Sequence, residues 1–286
     1  MTIRSIVFII LSYFLFISCN TSQNDSQNIL FKVENDSYWR NIAGANYIFI
    51  INSSELLAQN IILDDYYKYD ISVFDTLKGI SQDRIQFNIF MREDNINYIS
   101  SLPNDGKVIL FLVNTYDGYG FNNYLTSYFI ENSIILHTNL IEEIINNEIS
   151  LQNNIIENKL YERFETNGRL YNRVDNYIRN ISNEFSQNNS FRQLERLDEQ
   201  GVPYIILLME NFRTLPARHI MLENKSINAF EKYRYYGPEL IIDALAAILN
   251  QITGEHFGTI YNGEATEEIR INVLNGWRIY LYKIMQ

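Results

Sequence analysis

The chain has 286 residues, with 34 acidic against 23 basic side chains and a formal net charge of −11. That negative excess repels phosphate backbones and anionic head groups, so nucleic acid is excluded as an expected partner. A single cysteine rules out an internal disulfide, so a body long enough for one large or two modest domains must be held by its apolar core.

Arg4 precedes an uncharged apolar stretch over residues 6–17, followed by Ser18, Cys19 and a polar run from Asn20 to Asn28. Charged start, apolar middle and small residue are the ordered parts of a secretory signal. As a helix the apolar stretch rises only about 18 Å, against a bilayer core of about 30 Å, which predicts a cleaved segment rather than a span. Phe16-Ile17-Ser18-Cys19 resembles the lipobox of bacterial lipoproteins, with Phe16 where Leu is usual. The resemblance implies acylation of Cys19, removal of residues 1–18, and a body held at the membrane of the cell envelope, on its periplasmic or surface side. The alternative is an ordinary signal peptide that leaves a free thiol. Residues 19–37 are then the lipidated end and a flexible tether.

Residues 38–140 are predicted to be β-rich. Asn46 to Asn52 is a short apolar block, Tyr69, Ile71 and Val73 alternate with polar residues, and Lys78-Gly79 supplies a turn. Ile85, Phe87, Ile89 and Met91 again alternate, with one face buried and one mostly wet. Pro103-Asn-Asp-Gly106 is a turn leading into the core strand Lys107 to Val113. Tyr124 to Glu131 and Ile134 to Thr138 read as a hairpin around Asn132-Ser133. Short strands with tight turns predict a small antiparallel β-barrel or sandwich. Tyr47-Ile-Phe-Ile, Val73 to Gly79 and Lys107 to Leu112 resemble the OB-type barrels of netrin-like and tissue-inhibitor-like modules, without their cysteines. The resemblance implies architecture alone.

Residues 141–286 are predicted to be helical. Leu170, Val174, Tyr177, Ile178, Ile181 and Phe185 form one stripe, Ser190 with Gln193 reads as a capping-box start, and Pro203 suits a first turn. After Gly237-Pro238, Leu240 to Ile252 carries an apolar face opposite Glu239, Asp243, Ala246 and Asn250, and Gly254 is a stop in the left-handed conformation. A last helix starts near Thr266, with Ile269, Val273, Trp277, Tyr280 and Ile284 on one stripe. Val202-Pro203, Asp243 to Gly254, Phe257-Gly258, Arg270 and Trp277-Arg278 resemble the C-terminal end of bacterial HEAT-repeat-like proteins. That resemblance implies a structural cap in which Trp277 packs on the Leu249 side. The expected fold class is α+β: an OB-like barrel or sandwich followed by HEAT-like helical hairpins.

Chemistry-bearing motifs are scarce. His137, His219 and His256 lie in no metal-ligand spacing, and there is no nucleophile elbow, phosphate loop or dinucleotide fingerprint. Glu255-His256 suits a metal site or, more simply, a solvated turn. Arg213, Arg218 and His219 around Pro216 suit an anion site or a helix C-terminus. Asp64-Asp65, Glu142-Glu143 and Glu267-Glu268 suit acid–base work only if a cleft gathers them. No catalytic, metal or cofactor residue is assigned; Cys19, for lipid attachment, is the one site residue. The expected function is a non-enzymatic envelope lipoprotein that contacts a protein partner. The alternative is a lipid-anchored hydrolase or ligand-binding protein with its site between the two parts.

Overall fold

The computed structural model describes residues 38–58, 61–63, 66–90, 92–116, 121–125, 130–163, 167–225 and 231–286. Cys19, the signal segment, the tether, Asp64-Asp65 and Gly118 to Gly120 lie outside the described residues. A short helix α1 (residues 38–44) leads into β1 (Tyr47–Asn52), α2 (Ser53–Ala58), β2 (Ile61–Leu63), β3 (Tyr66–Ser72), β4 (Asp75–Lys78) and β5 (Arg84–Phe90). Next come α3 (Glu93–Ser100), β6 (Lys107–Tyr116), β7 (Phe121–Leu125), α4 (Ile130–Ser133) and β8 (Ile134–Leu136).

These strands form one sheet in the order β2-β3-β5-β7-β6-β1-β4, with β8 also paired to β6. The outer strands β2 and β4 do not meet, so the sheet is open. The expected OB-like barrel or two-sheet sandwich is therefore wrong. Closure depends on which strands pair, and here β5 runs parallel to β7 through Asn88 and Tyr124, whereas a small antiparallel barrel was expected. The expected hairpin around Asn132-Ser133 also fails, because β7 and β8 each pair with β6 and not with each other.

Alternation in β1, β3, β5 and β6 places Phe49, Ile51, Tyr69, Ile71, Phe87, Ile89, Leu110 and Leu112 in one core, closed by Leu56 of α2 and Ile99 of α3. Ile48, Ile50, Ile109 and Phe111 point the other way and are equally buried. A strand covered on both faces reads as a continuous apolar run, which is why β1 and β6 lack a polar alternation.

The C-terminal part follows with α5 (Asn139–Glu157), α6 (Gly168–Arg179), α7 (Glu184–Glu195), α8 (Val202–Leu207), β9 (Ile220–Glu223), β10 (Tyr233–Tyr236), α9 (Ile241–Thr253) and α10 (Glu267–Ile284). It is not purely helical, since β9 and β10 pair as a hairpin with Tyr235 opposite Met221. The stripe expected from Leu170 to Phe185 is broken. Asn183 caps α7 in a reciprocal box with Ser186, Ser190 lies mid-helix, and Phe185 is exposed. Gly254 does end α9, at φ 73°, and the Thr266 hydroxyl caps α10 by accepting from the Ile269 N–H. Residues Arg40–Gln286 form one compact unit.

Helix α9 departs most from its expected pattern. Asp243 and Ala246, placed on a wet stripe by spacing, are fully buried. Asp243 accepts from Arg270 Nε at 2.8 Å and Nη2 at 2.9 Å, and from the Glu239 and Leu240 N–H groups. One carboxylate thus caps α9 and ties it to α10. Trp277 is buried edge-on to Phe257 and Tyr280, at 5.0 and 5.6 Å between ring centres. A Cβ on Gly276 would fall 2.6 Å from Phe257 Cβ.

Asp243→Ala leaves buried Arg270 with only the longer 3.6 Å contact to Glu239 as a counter-ion, a change expected to cost about 3 kcal/mol in denaturant unfolding. Gly276→Ala should cost about 1–3 kcal/mol by overpacking. An unchanged midpoint in either variant contradicts this account of the α9–α10 contact.

Candidate functional site

Where the sheet meets the C-terminal helices, a crevice of about 200 Å³ opens among α1, β4, α5 and α10. Lys78 comes from the end of β4, Ile42 and Ala43 from α1, Gln152, Asn153 and Glu157 from α5, and Asn272, Asn275 and Ile279 from α10. The helix periods explain the convergence. Ile149, Gln152, Asn153 and Ile156 share one stripe of α5, and Asn272, Asn275 and Ile279 share one stripe of α10. Gly79, at φ 92°, turns the chain directly after Lys78.

Lys78 Nζ donates to the Ile42 carbonyl at 2.7 Å. Among the described residues no carboxylate lies within 4 Å of it. Desolvation lowers its pKa to about 8, although the side chain keeps some contact with solvent. Other inward-facing cations are paired: Arg270 with Asp243, Arg278 with Glu210 at 2.6 Å, and Lys283 with Glu148 at 2.9 Å. The amides around the crevice are held in turn. Gln152 Nε2 donates to Glu148 Oε1 at 2.9 Å, and Asn272 Nδ2 donates to the Gly44 carbonyl at 3.2 Å. The arrangement is an ammonium group with spare donors beside fixed amides, suited to holding a small polar molecule.

The residues singled out by motif lie elsewhere. His137 Nε2 sits 2.6 Å from Glu142 at the start of α5. His219 faces Glu184 at 3.3 Å on the surface, and His256 Nδ1 meets the Tyr261 hydroxyl at 2.8 Å. Glu255 pairs with Arg40 at 2.9 Å. The cluster around Pro216 is dispersed, since Arg213 donates to the Ile178 carbonyl and Arg218 pairs with Glu239. Among the described residues no group of three or more His, Cys, Asp or Glu side chains is placed to hold a metal, and no helix is long and apolar enough to cross a membrane. Reading by motif missed the crevice because its polar residues are 74 and 120 positions apart along the chain, from Lys78 to Gln152 to Asn272. The usable signal was amides set at helical spacing among isoleucines on α5 and α10.

The chain matches no protein-family model, and neither a curated protein nor a solved structure matches it significantly.

A lysine whose folded pKa is depressed destabilises the fold while it is protonated in both states. That penalty is complete below pH 8 and is relieved between pH 8 and about 10.5, where only the unfolded chain keeps the proton. Among the described residues Glu157 is the one other titratable side chain lining the crevice. Lys78→Met should therefore be more stable than the native chain at pH 7 by about 1–2 kcal/mol, the rest of the shift being offset by solvent contact and the lost hydrogen bond. The difference should shrink as pH rises to 10. Urea unfolding of both proteins across that range checks it, and a constant difference contradicts it.

Proposed function

We propose that the chain is a lipid-anchored ligand-binding protein of the bacterial cell envelope, with the Lys78 crevice as its binding site. The observation that carries the reading is an ammonium group without a carboxylate counter-ion, opening on amides contributed by two helices. A desolvated charge that weakens the fold is retained at functional sites, and a concave site with a few convergent polar groups is the usual form of a small-molecule pocket. The volume lies below the 300–1,000 Å³ of drug-sized pockets, so the ligand is a small metabolite. The anchoring part of the reading is supported by the apolar segment that precedes Cys19, since acyl chains on that thiol would hold the acidic body at a membrane. No catalytic step belongs to this reading, because the three histidines are engaged away from the crevice.

A specific observation also favours protein contact. Tyr235 is 73 % exposed and Met221 50 % exposed, directly opposite each other on the outer face of the β9–β10 hairpin. Tyr and Met on an exposed strand face are enriched at interfaces. Here the hairpin holds a protein partner while the crevice holds the ligand.

Two measurements test the proposal. Labelled palmitate should enter the native chain and not Cys19→Ala, and that variant should leave the membrane fraction. In a thermal-shift screen against small acids, amino acids and sugars, at least one compound should raise the native midpoint and leave Lys78→Met unmoved. A hit that shifts both proteins equally removes the crevice from the proposal.

A further inference from the structure

We infer that the ligand of the Lys78 crevice is a small, singly charged carboxylate. The inference rests on the binding proposal and adds the chemical class. Among the described residues Lys78 is the one cationic side chain lining the crevice, and Glu157 is the one anionic side chain. A neutral polyol would leave the ammonium group unneutralised beside desolvating walls, whereas one carboxylate oxygen can take its spare donors in a charge-assisted bond. A second negative charge on the ligand would meet Glu157. The arginine fork that suits dianionic phosphate is absent from the lining, since Arg270 and Arg278 are already spent on Asp243 and Glu210. The amides of Asn153 and Asn275 face the ligand's uncharged polar groups, while Gln152 and Asn272 are held by Glu148 and the Gly44 carbonyl.

The charged groups around Lys78 favour this class from every side. Helix α5 contributes Glu157, and Glu148 already neutralised by Lys283 of α10. Strand β4 contributes Asp75, which is exposed, and Arg40 of α1 is paired with Glu255. Helix α10 also carries Glu268, one turn before Asn272, and burial together with that charge raises the pKa of Tyr47 on β1. Among the described residues none of these carboxylates lies within 4 Å of the Lys78 amine, so a ligand carboxylate is the anion that can meet it directly. Binding then favours the protonated amine. Affinity should fall as the free amine loses its proton near pH 8, and complex formation at that pH should take up a proton.

Calorimetric titration of the full chain with acetate, L-lactate, succinate, inorganic phosphate and glycerol tests the class. The expected result is binding of acetate or L-lactate, weakened about tenfold between pH 7 and pH 9, with uptake of about half a proton at pH 8 read from enthalpies in different buffers. Lys78→Met should bind neither, while a cooperative melt shows that it is folded. If glycerol, succinate or phosphate binds the native chain in preference and fails with Lys78→Met, the crevice stands and the assignment to a singly charged carboxylate falls. Carboxylate binding that is indifferent to pH also overturns the assignment. If no probe binds, and the broader screen also yields no compound that depends on Lys78, the site itself falls with it.

Discussion

The buried contact between Asp243 and Arg270 sets the frame for the rest of the C-terminal part. Two oxygens receive a bidentate guanidinium and two backbone N–H groups, so one side chain starts α9, blocks its fraying and aligns α10 across it. Desolvating two charges offsets much of their attraction, and a well-packed apolar pair would hold the helices about as firmly. The ion pair contributes direction instead. With α9 held, α10 presents Trp277 and Gly276 to Phe257 on one stripe and Asn272 and Asn275 to the crevice on another. The position of the amides opposite Lys78 therefore depends on a carboxylate that does not line the crevice.

The two buried lysine and arginine environments are a useful contrast. Arg270 is surrounded by Asp243 at 2.8 Å and Glu239 at 3.6 Å, and its charge is answered inside the protein. Lys78 has one neutral carbonyl. The same physics that makes the first a fastener leaves the second an open valence.

The sequence showed its strands well and their assembly poorly. Period-two alternation located β3 and β5, and the turn Pro103 to Gly106 located the start of β6, because these depend on neighbours along the chain. Closure into a barrel depends on partners far away, and the parallel pairing of β5 with β7 leaves no local trace. Asp243 sat at a spacing that belongs to a wet stripe, and only Arg270, 27 residues on, explains its burial. The β9–β10 hairpin was missed because two four-residue strands carry too short a pattern to compete with flanking helices. Lys78 was legible only as part of a turn, since the groups that give it a role arrive from α5 and α10.

Residues near the two ends of the compact unit are stitched together. Arg40 grips Glu255, and Asn272 reaches the Gly44 carbonyl, 228 positions away. Such distant closures make folding wait on the last segment to be made. A chain made N-terminus first has no finished crevice until α10 has been added, so the Lys78 pocket is among the last features of the fold to form.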